Sequence, residues 1–314
     1  MTNQYIPIFP AAIDNSMRKE LVKCQTAAKY RYEMGLKPAG EGGRVDLIAG
    51  AAYAKGLEIM RKSYYDWKVP AQASLEAGIA ACYAQYGNFV PPPKSNKTAD
   101  RMAGALAYYV SQFPLEDERY VPFQLPDGKW TIEMMFSYPM GLTHPVTGEE
   151  LEYCGNFDAL VIDRLSPLHD AWVCDEKTTS QMGEKWVNQW PLDSQMTGYC
   201  WGARKLLQEH GMDPARVKGA IINGIAIRMH DYGVMRLPVY RHDWEIERWY
   251  GQMLSDVTRW TDAHIEQNHN MALDHACAFY NNPCDFATLC LSKNPERLYQ
   301  GSYVVERWNP KERK

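Results

Sequence analysis

Residues 155–199 read GNFDALVIDRLSPLHDAWVCDEKTTSQMGEKWVNQWPLDSQMTGY. Two apolar, β-branched runs flank the turn segment SPLHD at 166–170, which predicts a β-hairpin. Side chains on a strand alternate between its two faces. On the second run, Asp175 and Lys177 are two residues apart and share a face, while Glu176 points the other way. On the first run, Asp158 is expected on the face opposite Phe157, Ala159 and Val161. A hairpin of this kind converges two carboxylates and one ammonium on a single point. The helical segment that follows carries Gln195 and Tyr199 at i, i+4, on one helix face.

Two carboxylates at neighbouring strand ends make an oxygen-ligand site suited to Mg²⁺ or Mn²⁺. An ion held there would orient a phosphodiester, lower the pKa of a bound water and offset charge developing in the transition state. Lys177 would position the nucleophile or stabilise the charge on the phosphorane. A D-x-K on its own is usually a solvated strand edge, so the order and spacing of three elements carry the signal. The pattern G-x-x-D, then D-x-K-T, then Q-x-x-x-Y stands here as Gly155, Asp158, Asp175, Lys177, Thr178, Gln195 and Tyr199. It resembles the PD-(D/E)xK nuclease superfamily, and the Q-x-x-x-Y helix resembles its RecB-like branch. The resemblance implies an α/β, restriction-endonuclease-like mixed sheet flanked by helices. It also implies a metal-dependent DNA nuclease. Asp158 and Asp175 would hold the ion with help from the backbone carbonyl of Glu176. Lys177 would orient the attacking water, and Gln195 and Tyr199 would position the DNA strand or Lys177.

The chain of 314 residues is long enough for one large domain or a domain with lobes. Its net charge of −4 gives no global sign of nucleic-acid binding, so basic residues would have to gather locally in a groove. No apolar run reaches the ~18–20 residues of a membrane span. The opening, MTNQYIPIFPAAIDNS, lacks the charged and apolar regions of a signal peptide, so the expected location is cytoplasmic, and the resemblance implies a bacterium or phage-infected host. Eight cysteines in that compartment point to thiols or metal ligands over disulfides.

Residues 15–34 predict a helix capped by Asn15 or Ser16, ended by Gly35 and carrying Cys24 mid-segment. A second helix is expected from Arg44 to Trp67. RecB-like nucleases commonly show a helix resembling G-x-x-x-H-x-x-L-E near this point. Gly50, Leu57 and Glu58 fit it, but Ala54 stands where the histidine ligand would be. Glu58, one turn away, is either its substitute as a metal ligand or a solvated face residue. Helices at 70–87 and 98–113 follow, separated by the proline-rich GNFVPPPKSNKT. Strands are expected at 130–140, 151–164 and 171–179 as a meander, with Glu133 on the first either near the site or a paired edge charge. A helix at 192–210, strands at 218–229 and 233–240, and a long helix at 242–268 complete the pattern. The expected divisions are 1–119, an N-terminal helical lobe; 120–270, the nuclease core; and 271–314, a cysteine-bearing segment with a basic tail.

That last segment contains HACAFYNNPCDFATLC, with Cys277, Cys284 and Cys290 spaced x6 and x5, unlike the C-x2-C of a zinc ribbon. Taken alone, these three and Cys24 read equally as packing residues. One subgroup of RecB-like nucleases, including AddB-type helicase–nucleases and CRISPR adaptation nucleases, holds an iron–sulfur cluster by one early cysteine and three late ones. Cys24, Cys277, Cys284 and Cys290 stand in that arrangement. The resemblance therefore implies a [4Fe–4S] centre, with Zn²⁺ as the alternative occupant. Cys82, Cys154, Cys174 and Cys200 read as buried small hydrophobes.

The size and the late cysteines resemble stand-alone bacteriophage or prophage nucleases. The implied function is exonuclease action on the ends of linear DNA, for recombination, repair or foreign-DNA degradation. A single-strand annealing or recombination protein would be its partner, and no membrane. Two alternatives stay open: a CRISPR-adaptation nuclease working with integrase proteins, and a catalytically retired DNA-end-binding protein, which Ala54 favours.

Overall fold

The structure, a computed structural model, describes residues 5–40, 45–273, 276–279 and 282–312. Arg44, expected to open the second helix, His275 of the cysteine segment, and Arg313 and Lys314 of the basic tail lie outside the described residues.

In chain order the elements are β1 (Ala12–Ile13), α1 (Asn15–Lys23), α2 (Gln25–Ala28), β2 (Leu36–Pro38), α3 (Val45–Arg61), α4 (Ala71–Tyr86) and α5 (Ala99–Gln112). Then come β3 (Tyr120–Pro122), β4 (Ile132–Thr143), β5 (Glu150–Asp163), β6 (Ala171–Thr179), α6 (Glu184–Asn188), α7 (Ser194–Glu209), β7 (Val217–Ile227), β8 (Tyr232–Tyr240) and α8 (Asp243–Ile265). The chain ends with β9 (Ala278–Phe279), β10 (Asn282–Pro283), α9 (Ala287–Cys290), α10 (Glu296–Ser302) and β11 (Tyr303–Val305). Close backbone contacts group residues into two units, one of Met1–Gly42, Ser137–Gly155 and Glu247–Lys314, the other of Gly43–Phe136 and Asn156–Ile246. Divisions at 119 and 270 would cut the chain differently, because the first 42 residues group with the C-terminal segment.

The second unit is built on a mixed sheet. β5 and β6 pair antiparallel, from Ala159↔Cys174 to Ile162↔Ala171, as a hairpin. β6 then pairs parallel with β7, and β7 antiparallel with β8. β3 and β4 also pair β5. The fold class is thus α/β, a mixed sheet flanked by helices. β7 reads as a near-continuous apolar run because it is buried almost throughout, the pattern of a strand covered on both faces.

The helical layer of this unit follows from an apolar stripe at helical spacing. Ala49, Ala52, Tyr53, Gly56, Leu57 and Met60 of α3 are all buried. They pack with Cys82 and Tyr86 of α4, Met102 and Leu106 of α5, and Ile225 and Ile227 of β7. Thr98 caps α5 through its hydroxyl, which accepts from the Arg101 N–H at 3.2 Å. The two glycines at the α3–α4 crossing are required by its closeness. A Cβ on Gly78 would lie 2.7 Å from the Gly56 carbonyl oxygen and 2.8 Å from Met60 Cβ.

In the first unit, β1 pairs parallel with the start of β5 (Ala12↔Glu152, Ile13↔Tyr153), and β2 pairs antiparallel with β11. The helix expected over 15–34 is not continuous. α1 is capped by Asp14, whose carboxylate accepts from the Met17 N–H at 2.8 Å, rather than by Asn15 or Ser16. At Cys24 the backbone turns extended (φ −164°, ψ 115°). The Cys24 N–H still closes α1 on the Glu20 carbonyl, and its own carbonyl opens α2 by accepting from Ala28. The chain then widens into a π-turn over Lys29–Glu33. The break has a tertiary cause: Thr26 N–H donates to the Asn270 carbonyl and the Ala272 N–H to Cys24 Sγ at 3.4 Å.

The α3–α4 crossing generates a stability prediction. Gly78→Ala gains about 1 kcal/mol of helix propensity but places a methyl against backbone that has no room to move, an overpacking cost of about 1–3 kcal/mol. A lowered denaturant midpoint is expected. An unchanged or raised midpoint would mean that the helices separate freely there.

Candidate active site

β6 carries candidate site side chains on one face and a buried polar network on the other, and the second unit holds all of them. The β5–β6 ladder runs to the Ala159↔Cys174 pair. Beyond it, the Glu176 N–H donates to Asp158 Oδ2 at 2.7 Å, so a side-chain carboxylate serves as the backbone's acceptor. Asp175 Oδ2 lies 2.5 Å from Lys177 Nζ. Asp175 is 3% exposed, whereas the Lys177 side chain keeps 28% of its surface in solvent.

Burial pushes the Asp158 carboxyl well up, and the charges of Asp175, Glu133 and Glu176 push it further; Lys177 pulls it partly back. Burial also raises Asp175, against the pull of Lys177. Burial alone would lower the Lys177 ammonium, but Asp175 and Asp158 outweigh it and raise its pKa. The cluster therefore carries more negative charge than its one cation offsets. Without a further cation, burial opposes ionisation of both Asp158 and Asp175, and the neighbouring carboxylates add to it.

The structure brings Glu133 to this cluster. It stands on β4 with a left-handed backbone (φ 54°), a conformation costing a non-glycine residue about 1–3 kcal/mol. Its carboxylate accepts from Asn156 Nδ2 at 3.0 Å. Asp193 acts on the cluster too: its charge raises both Asp175 and Lys177. Sequence reading overlooked Asp193. The available signal was its position just before a helical run, since it caps α7 by accepting from the N–H groups of Gln195 and Met196. On α7, Gln195 Nε2 donates to the Tyr199 hydroxyl at 2.8 Å, so the two side chains hold each other. Tyr199 is buried edge-on against Phe136 and Phe157.

The opposite face of β6 is a buried polar network. Glu176 Oε1 accepts from Arg61 Nη2 at 2.5 Å and from Asn223 Nδ2 at 3.0 Å. The Tyr109 hydroxyl accepts from Arg61, Asn223 and Arg236, and Arg236 forms a two-pronged pair with Glu118 at 2.5 and 2.6 Å. The Glu176 side chain is thus held away from the carboxylate pair, which leaves only its backbone carbonyl for the role expected of it. Arg61, Glu118, Asn223 and Arg236 went unread because they come from distant segments with no motif spacing.

Glu58 stands on α3 with its carboxylate held by two lysines. Its helix, α3, packs on the Glu176 face: Arg61 reaches Glu176, and a Cβ on Gly50 would sit 3.6 Å from Thr178 Oγ1. Both Glu58 oxygens take a lysine, Lys62 at 2.7 Å and Lys55 at 2.9 Å, which hold its pKa down against burial.

The four cysteines of the early-plus-late pattern are gathered within the first unit. Cys24, Cys284 and Cys290 belong to one apolar cluster with Tyr30, Phe286 and Leu289. Burial raises the Cys290 thiol, and Cys24, Cys284 and Cys277 all add to the rise. Cys82, Cys154, Cys174 and Cys200 are buried elsewhere.

The repulsion at Asp158 predicts a trade of stability for charge. The folded chain holds this proton more tightly than the unfolded chain, whose carboxyl titrates near its ordinary 3.8. Raising the pH above about that value therefore costs the parent stability until the folded carboxyl has itself ionised. Asp158→Asn keeps an acceptor for Glu176 N–H and lacks the charge. In chelator-treated buffer its thermal midpoint should exceed the parent's at neutral pH, with the gap closing towards acid. A gap that is absent or independent of pH would refute the assigned repulsion.

No protein-family model matches the sequence, and no curated protein matches it. Among solved structures, the chain is similar to a Eubacterium rectale protein provisionally named an exonuclease. The TM-score is 0.46 at 11% identity, covering 92% of this chain and 94% of that one. It is also similar to SSO0001, with a TM-score of 0.23 at 10% identity over 76% and 83% of the two chains. At these values neither likeness bears on what this chain does; its fold class rests on its own sheet and helices.

Proposed function

We propose that the chain is a divalent-metal-dependent deoxyribonuclease of the PD-(D/E)xK, RecB-like kind, acting as an exonuclease on linear DNA. One observation carries this reading: Asp158, Asp175 and Lys177 converge from two paired strands, with Lys177 Nζ 2.5 Å from Asp175 and Asp158 fixed by the Glu176 N–H.

The donor set fits Mg²⁺ or Mn²⁺. It consists of hard oxygens, and buried Asp175 Oδ2 has no hydrogen-bond partner among the described residues, only the Lys177 ion pair. The excess negative charge that raises Asp158 is what a divalent cation would offset. Asp158 and Asp175 would hold it, with the Glu176 carbonyl as a further oxygen. When bound, such an ion polarises the phosphoryl group and makes its water more acidic. Lys177 remains an ammonium beside Asp175 and offers N–H donors to the attacking water or to a phosphate oxygen as negative charge grows. Gln195 and Tyr199, locked to each other, would orient the strand or Lys177. Arg61 fixes Glu176, and through it the strand that carries both Asp175 and Lys177.

The cysteine quartet fits a group that takes thiolates, since Cys24, Cys284 and Cys290 share one apolar cluster and Cys24, Cys284 and Cys277 are all close enough to raise the Cys290 thiol. We assign it a [4Fe–4S] cluster, with Zn²⁺ as the alternative, acting as a staple within the first unit. Among the described residues no helix is long and apolar enough to cross a membrane. The proposal places the protein in the cytoplasm of a bacterium or phage-infected host, with a single-strand annealing or recombination protein as partner.

Linear DNA labelled separately at its 5′ and 3′ ends tests the reading with Mg²⁺, Mn²⁺ or EDTA. Metal-dependent loss of one label is expected, reduced on the order of 10²–10³-fold in Asp158→Ala and Lys177→Ala. Full activity in either variant would overturn the site. No cleavage by cluster-loaded protein with any metal would favour a DNA-end-binding role, consistent with Ala54 in place of the histidine. Protein purified without oxygen should be brown and contain iron, and Cys24→Ser should lower iron content and thermal midpoint together. Colourless parent protein holding zinc would replace the cluster with Zn²⁺.

A further inference from the structure

The first unit contains a second concentration of ligand groups that the nuclease reading does not use. Glu33 ends the π-turn Lys29–Glu33 and is 0% exposed. Its Oε2 lies 2.6 Å from His264 Nδ1, and its Oε1 lies 2.7 Å from His269 Nε2. The three ligand atoms fall within 4.8 Å of one another. His264 is 7% exposed, and the side chain of His269 only 2%. Trp260 Nε1 also donates to Glu33 Oε1, at 2.7 Å. The rings of Trp260 and His264 are closed over by Phe9, at 5.0 and 5.2 Å between centroids. Buried His269 Nδ1 has no hydrogen-bond partner among the described residues.

A carboxylate sealed from water needs positive charge beside it. Two imidazoles and one carboxylate aimed at one another are the donor set that Zn²⁺ and similar borderline ions accept, whereas Mg²⁺ prefers oxygens alone. The Trp260 N–H is placed as the outer hydrogen bond that orients a metal-bound carboxylate. Ligation at ~2.0–2.2 Å from each atom in tetrahedral geometry sets ligand atoms about 3.3 Å apart. The two N···O contacts, at 2.6 and 2.7 Å, would therefore each lengthen by about 0.7 Å or less as an ion enters. A π-turn is an irregularity that recurs at functional sites, and here it delivers Glu33 to the histidines.

We infer that Glu33, His264 and His269 form a structural site for one divalent transition ion of the zinc class, separate from the carboxylate pair and from the cysteines. It pins the end of the π-turn to the last turn of α8 and the segment beyond it, reinforcing the Thr26 contacts with the His269 and Asn270 carbonyls. This inference does not depend on the nuclease reading.

The test separates ligation from hydrogen bonding. His264→Asn and His269→Gln each keep an N–H near the position of the ring nitrogen that meets Glu33 but are poor ligands. Intact, cluster-loaded protein is chelated and then loaded with Co²⁺ in excess Mg²⁺, which occupies the carboxylate pair, and metal content, visible spectrum and thermal midpoint are read. Expected is one cobalt per chain with d–d bands and no thiolate-to-cobalt charge transfer, together with a rise in midpoint. Both variants should lose that signal, with affinity reduced on the order of 10-fold or more. Asp158→Asn and Cys24→Ser should retain it. If the parent shows no such signal, or the two histidine variants bind as the parent does, the trio is a hydrogen-bonded network only and the inference fails. Loss of the signal in Asp158→Asn or Cys24→Ser would assign the ion to one of the other two sites and fail it equally.

Discussion

The ion pair between Arg61 and Glu176 is buried on both sides, and the candidate active site depends on it. Removing one partner of such a pair typically costs about 3–5 kcal/mol, because it leaves an uncompensated charge in a dry interior. Here the pair joins the helical layer to β6 at the residue between Asp175 and Lys177. Asn223, Tyr109, Arg236 and Glu118 extend it, so two arginines face two glutamates and their charges balance. One face of the strand is neutralised and fixed, while the other is left with more carboxylate than ammonium.

That imbalance links structure to chemistry. A fold selected only for stability would not place Asp158, Asp175, Glu133 and Asp193 around one lysine, because burial and mutual repulsion both penalise the charged forms. The left-handed backbone at Glu133 adds strain in the same place. Both costs are offset elsewhere in the unit, in the close α3–α4 crossing and the covered β7 strand. This is the usual distribution where a site is held in a high-energy arrangement by a well-packed scaffold.

The first unit solves a different problem. Its early residues lie far in sequence from its late ones, and among the described residues only a short two-stranded pairing, β2 with β11, joins them as sheet. Side-chain contacts and single backbone hydrogen bonds, such as Thr26 N–H to the Asn270 carbonyl, add further ties. The break at Cys24 and the π-turn ending at Glu33 interrupt what would otherwise be one helix, and each delivers a side chain to residues from beyond α8. Helical regularity gives way where it would point these groups elsewhere.

Local pattern in the sequence determined the hairpin of β5 and β6, the helices from α3 to α5, the apolar run of β7 and the face-sharing of Asp175 with Lys177. Periods of two and of 3.6 residues report which side of an element is buried. Spacing also singled out Asp158, and the family resemblance pointed to Glu133 and the four cysteines. Tertiary structure alone decided which partners those side chains meet. Arg61 and Asn223 reach Glu176, and Tyr109 joins them to Arg236, across separations of 47 to 127 residues that follow no local period. Glu58, one turn from Ala54 in sequence, is placed by its helix on the Glu176 side and held by two lysines. Cys24 sits in a segment with a good helical pattern, yet it bends the chain because the Ala272 N–H and the Asn270 carbonyl lie against it. Periodicity is a property of neighbours along the chain; a buried charge or a thiol is settled by whatever the fold brings up to neutralise it.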